Sequence, residues 1–179
     1  MADSNITKKA LAAALKDLMT KMPFSKISVG DICELCQMNR KSFYYHFKDK
    51  YDLVNWMFYT EFVVFVREKE NKDPYDLLLN ICTYFENNKK FYRKIIKYDG
   101  QNSFFNYFYE LLMPAIQGVV SDLFTDDENK NFFMTFFAES FIMAIKRWLT
   151  TSIMPADKFV SLLQSTIYGA ADNISKRNN

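Results

Sequence analysis

With 179 residues, 49% of them apolar, and only four glycines and four prolines, the chain has material for one sizeable core or for a small domain beside a larger one, and its scarcity of turn residues argues for an all-helical protein. The net charge of +2 is unevenly held: residues 1–50 carry nine Lys/Arg against five Asp/Glu and the remainder fourteen against sixteen, so attraction for a polyanion sits at the N-terminal end. No apolar run approaches a membrane span and the polar opening residues are unlike a signal peptide, so a cytoplasmic location without membrane contact is expected.

The spacing predicts a first helix over Ser4–Met22, with Ile6, Ala10, Leu11, Ala14, Leu15 and Leu18 on one stripe and Pro23 ending it. Phe24 and Ile27 are expected to plug a small three-helix core. Ser28, three residues ahead of Asp31, signals a helix start, and Val29, Ile32, Leu35 and Cys36 recur at helical spacing behind it. After Gln37-Met38-Asn39, Asn39 offers a second cap for a compact helix beginning at Arg40. Two short helices joined by a tight turn read as a helix-turn-helix unit. In its second helix Phe43 and Phe47 share one face, while Arg40, Lys41, Ser42, Tyr44, Tyr45 and His46 spread over the rest. That remainder carries the groups that major-groove readout requires, a guanidinium for guanine and hydroxyls and ammoniums for base edges or phosphates. A merely solvated helical face is the alternative.

The run N-R-K-S-F-Y-Y-H-F-K-D-K-Y-D-L, from Asn39 to Leu53, resembles the signature of the TetR family of transcriptional regulators. The resemblance covers about the first 60 residues well and becomes architectural beyond them. It implies that Arg40, Lys41, Ser42 and Tyr45 face the groove, and that Tyr44, His46 and Lys50 face phosphates. Thr7 and Lys8 near the start of the first helix, Ser28 at the start of the second and the cap Asn39 complete the implied DNA-facing set. One departure is Gln37, which stands where the family usually has Gly; a positive φ there would cost Gln on the order of 1 kcal/mol.

A fourth helix is expected from Tyr51 to Lys69, apolar on more than one side and suited to act as a lever between two domains. The chain is therefore divided in expectation into a DNA-binding domain, 1–50, and a larger helical sensing and dimerisation domain, 51–179. Glu68 to Asp73 reads as a linker turn, and Asp73-Pro74 as the start of a helix reaching Glu86. Asn87-Asn88 break it, and a basic-aromatic helix follows from Lys89 to Tyr98, stopped near Gly100. A longer helix, Ser103–Phe124, holds Pro114 and should kink there. Between Tyr84 and Tyr109 ten of 26 positions are Phe or Tyr. Tyr84, Phe85, Phe91, Tyr92, Phe104, Phe105, Phe108, Tyr109 and Met113 form a candidate effector pocket, with plain core packing as the alternative.

Thr125 to Asn131 reads as a polar loop. Lys130–Thr150 is apolar almost all round, and Pro155 opens a last helix to Lys176. These two helices are expected to pair with their copies in a homodimer through Phe133, Phe137, Phe141, Ile145, Trp148, Phe159, Leu163, Ile167 and Ala170. Two-fold symmetry would set the reading helices roughly 34–36 Å apart, the repeat of a palindromic operator on double-stranded DNA.

Three cysteines fit a reducing compartment, and the pair Cys33/Cys36 lacks the further ligands a zinc site needs, so no metal and no cofactor is expected. His46 has no acid or nucleophile at a recognisable spacing and no Gly-rich phosphate loop appears, so an enzyme is not expected. The resemblance implies a regulator, repression being the commoner family outcome, that responds to a small-molecule effector or docks a partner protein. The segments Y-D-L-V-N-W-M-F-Y-T-E-F and Y-D-G-Q-N-S-F are similar to a branch of the family related to dihydroxyacetone-kinase control, where sensing is shared with another protein.

Overall fold

The computed structural model describes residues 2–69, 73–96, 103–121 and 129–178, and the regular structure among the described residues is all helical, with no strand. In chain order the helices are α1 (Ala2–Lys21), a 3-10 turn (Phe24–Lys26), α2 (Val29–Leu35), α3 (Arg40–His46), α4 (Lys50–Arg67), α5 (Pro74–Asn87), α6 (Lys89–Ile95), α7 (Phe104–Ser121), α8 (Lys130–Thr151) and α9 (Ala156–Asn178). Several starts follow from local chemistry. Asp49 accepts from the amides of Tyr51 and Asp52, both at 2.8 Å, and so opens α4. Asp73 accepts from Asp76 at 2.9 Å with Pro74 at the first helical position. The helix α7 continues through Pro114. Residues 70–72 of the expected Glu68–Asp73 linker, the Gly100 stop and most of the loop before Asn131 lie outside the described residues.

The chain forms two compact units whose boundaries differ from the 1–50 and 51–179 division. The first comprises residues 1–64 together with 90–107, the second 65–89 together with 108–179. In the first, Leu11, Leu15, Phe24, Ile27, Ile32, Phe43, Leu53 and Val54 are buried to within 1% of complete. Phe58 is the hub of its other end, stacked on Phe62 at 4.7 Å and edge-on to Tyr92 and Phe104 at 5.8 and 5.2 Å. The 90–107 stretch is tied in by polar contacts as well. Lys94 donates to the carbonyl of Met19, an orphan acceptor near the end of α1, and Lys16 bridges to Glu61 while lying over the Phe91 ring.

In the second unit α5 packs along α9 and α8. Glu86 of α5 accepts from the amide of Ala156 at 3.1 Å, so a carboxylate sits at the start of α9 and complements its dipole. Phe85 meets Phe108 edge-on at 5.1 Å, and Trp148 stacks on Phe159 at 5.0 Å with the Lys89 ammonium 4.4 Å from its ring centre. The indole N–H of Trp148 donates to the Met154 carbonyl at 2.8 Å.

Candidate nucleic-acid interface

The reading unit is built from two caps and one strained turn. Ser28 and Asp31 form a reciprocal capping box: the Asp31 amide donates to Ser28 Oγ at 3.2 Å and the Ser28 amide to Asp31 Oδ2 at 2.7 Å. These bonds from Ser28, helped by the charges of Arg40 and Lys50, hold the Asp31 carboxyl below its ordinary value. At the other end of α2, Gln37 takes φ 54°, the only non-glycine positive φ among the described residues. This is the left-handed conformation that closes a helix, with Met38 donating to Cys33 O at 2.8 Å and Gln37 to Glu34 O at 3.1 Å. Asn39 then accepts from Ser42 at 2.8 Å and starts α3. All of this is encoded within a few residues of sequence, which is why the caps and the turn are legible there.

On α3, Phe43 and Phe47 are buried and 5.8 Å apart, which fixes the helix by one face. The opposite face carries Arg40 and Lys41, both exposed, Tyr44 at 57% and Tyr45 at 83% exposure, with Ser42 and His46 half-buried between. Two large phenols therefore stand open to water on this face. Tyr45 rests edge-on against the His46 ring at 4.9 Å. The Arg40 guanidinium lies over Gly30, where an added Cβ would come within 2.5 Å of Nη2, so a side chain larger than hydrogen at position 30 would push Arg40 aside. Cations, phenols and a hydroxyl on one helical face can bind phosphates and read base edges.

Four of the expected contact residues are engaged within the chain or lie away from a helix start. Lys50 is turned inward: its ammonium donates to the carbonyls of Phe24, Ser25 and Ile27 at 2.8, 3.3 and 2.7 Å and lies 4.6 Å from the Phe24 ring. Here the three carbonyls take up the three protons of the ammonium. Ser28 is likewise engaged, its hydroxyl donating to Asp31 at 2.8 Å, and the Asp31 carboxylate already occupies the anion position at that helix start. Thr7 and Lys8 lie in the second turn of α1, since the helix begins at Ala2, so their amides are not the free ones of a helix start. Lys8 lies instead over Phe47 and Trp56, at 5.7 and 5.8 Å from the ring centres.

The candidate pocket residues divide between the units. Phe91, Tyr92, Phe104 and Phe105 belong to the first and Tyr84, Phe85, Phe108, Tyr109 and Met113 to the second. Tyr92, Phe104, Phe85 and Phe108 are buried to within 1% of complete, each in ring contact inside its own unit. Tyr109 donates to Glu139 at 3.1 Å.

The expected dimer face is also partly internal. Phe137, Phe141, Ile145, Trp148 and Ile167 are buried within the chain itself, and only Phe133, Phe159, Leu163 and Ala170 stay half-buried. The apolar residues left open on these helices include Phe132, Phe136 and Met143 of α8 and Leu162 and Tyr168 of α9, each at least half exposed. Helical periodicity does not single them out, because α8 is apolar on nearly every side and pattern alone cannot distinguish the covered one.

No cluster of three metal-ligating residues occurs among the described residues, and none of their helices is long and apolar enough to cross a membrane. All three cysteines are free, and burial pushes each thiol upward, away from reactive thiolate.

Comparison with known proteins agrees with this geometry. Residues 10–57 match the model of bacterial regulatory proteins of the tetR family, and residues 72–169, more than half the chain, match a transcriptional regulator C-terminal region. The chain is 33% identical over 154 residues to the HTH-type dhaKLM operon transcriptional activator DhaS of Lactococcus lactis subsp. lactis (strain IL1403), covering 82% of this chain and 81% of that protein. Among solved structures, a TetR transcriptional regulator from Streptococcus agalactiae 2603V superposes with TM-score 0.73 at 22% identity, covering 93% of this chain and 96% of the other. The dihydroxyacetone kinase operon activator DhaS superposes with TM-score 0.66, also at 22% identity, over 93% of this chain and 97% of the other.

Proposed function

This chain belongs to the TetR family of bacterial transcriptional regulators, in its DhaS-like branch, and we propose that it acts as a homodimer that presents two copies of α3 to a palindromic operator. The family is one of regulators, not enzymes. The observation that carries the reading is the outward face of α3, where Arg40, Lys41, Tyr44 and Tyr45 stand in solvent beside buried Phe43 and Phe47. Groove contacts come from Arg40, Lys41, Ser42 and Tyr45, and phosphate contacts from Tyr44 and His46. The family resemblance alone favours repression. The relative named above is an activator, which favours activation for this chain.

The dimer is held through the open side of α8 and α9, centred on Phe132, Phe136, Met143 and Leu162. An effector shifts the population of DNA-competent dimers. The second reading, a partner protein docked on the C-terminal helices in place of a small molecule, is favoured by the complete burial of Phe85, Phe104 and Phe108, which are already committed to packing. Selection of bound fragments from random and genomic DNA tests the activity and yields the half-site spacing. Arg40→Ala or Lys41→Ala should weaken the selected site, by about 1–3 kcal/mol where a base contact is lost. Unchanged binding in the double variant removes α3 as the reader.

A further inference from the structure

A groove of about 580 Å³ runs between α1 and α4, lined by Asn5, Lys9, Ala12, Ala13, Lys16, Trp56, Thr60, Glu61 and Val64. It lies wholly within the first compact unit, the one that carries the reading helix. Its volume is in the range of small-molecule sites, roughly 300–1,000 Å³. The α1 side repeats at positions 5, 9, 12, 13 and 16, one helical stripe, and two alanines in its middle leave the space. Trp56 and the exposed Val64 supply apolar walls from α4.

Charge chooses the occupant. At one end Lys16 is matched to Glu61 across the helices. Toward the other end Lys9 has no ion pair or hydrogen bond among the described residues, and Asn5, one turn before it, brings an amide to the same rim. The two lysines against one carboxylate leave one positive charge uncompensated, beside apolar walls. Trp56 connects this groove to the reader: its ring meets Phe47, the C-cap of α3, at 5.8 Å.

We propose that the α1–α4 groove binds a small amphiphilic carboxylate, its anionic head on Lys9 and Asn5 and its apolar body over Ala12, Ala13 and Trp56, and that occupancy acts on α3 through the Trp56–Phe47 contact. Binding itself does not depend on the DNA-binding reading. A bound anion also removes positive charge from the N-terminal unit, so occupancy weakens operator binding.

The chain holds two tryptophans, so indole-labelled protein gives two N–H resonances, with Trp56→Phe assigning them. Titration with 2-naphthoate should move the Trp56 resonance saturably and leave Trp148 in place. The cationic twin 2-naphthylmethylammonium should bind more weakly by about five-fold, and Lys9→Glu should cost naphthoate a similar factor. Ala13→Phe, filling the groove from an exposed position, should abolish the response in a protein whose circular dichroism is unchanged. Equal affinity for the two probes, equal binding in both variants, movement of Trp148 alone or no saturable shift would each overturn the site. Should Trp56 respond while operator affinity does not, the coupling to α3 is refuted and the binding site stands; absence of any operator binding refutes the DNA-binding reading separately.

Discussion

Replacing Gln37 with glycine should make the protein more stable. At φ 54° a side chain brings Cβ against the following carbonyl, at a cost of about 1–2 kcal/mol that glycine does not bear. Against this, glycine adds freedom to the unfolded chain, worth about 0.4–1 kcal/mol. The Gln37 side chain is exposed and no packing is lost with it. The balance is a gain of about 0.5–1 kcal/mol, or about 1–4 °C in the thermal midpoint for a chain of this size. Urea and thermal unfolding followed by far-ultraviolet circular dichroism, at one fixed protein concentration, read it directly. Gln37→Ala is the control, because it keeps Cβ and should stay within about 0.5 kcal/mol of the native chain. A glycine variant no more stable than the native protein would refute the claim that this turn stores strain.

Lys50→Met should destabilise the first unit by about 2 kcal/mol or more, since three carbonyls lose a charged donor, and it should leave the salt dependence of operator binding unaltered; a salt slope lower by about one would return Lys50 to the phosphate contacts. Because the Asp31 carboxyl titrates below its ordinary value, its contribution to stability is complete at neutral pH and is lost as pH falls through the lowered value. Thermal midpoints taken down the acid limb should therefore fall less steeply in Asp31→Asn, and parallel curves would show that the capping box carries no such linkage. Phe136→Asp should yield a folded monomer in sedimentation, whereas Trp148→Asp should unfold the second unit, as expected for an indole bonded and stacked inside one chain. A folded Trp148→Asp monomer would reverse that assignment.

Features set by near neighbours along the chain are legible from the residues alone. Ser28, Asn39 and Asp73 cap helices because their partners lie three residues on, and the turn at Gln37 follows from the two helices it joins. Lys50 is not legible in this way, because its carbonyl partners lie 23 to 26 residues back and a lysine beside a reading helix looks the same whether it points out or in. The same holds for Trp148, whose hydrophobicity announces burial without saying against what. On α3 the buried and open faces separate cleanly because Phe43 and the capping Phe47 are apolar without a polar tip, while the other aromatic residues carry one.

The first unit is discontinuous, drawing Tyr92, Ile95, Ile96 and Phe104 from residues 90–107, which follow only after the whole of 65–89. During synthesis the reader therefore emerges from the ribosome before the rings that enclose Phe58 have been made. Its N-terminal half must wait, partly solvated, until residue 107 is out, and the intervening helix must be looped aside at an entropic cost that only final closure repays. A fragment cut at the end of α4 would leave Phe58 bare on one flank. The DNA-reading end of this protein thus matures no earlier than the middle of the chain.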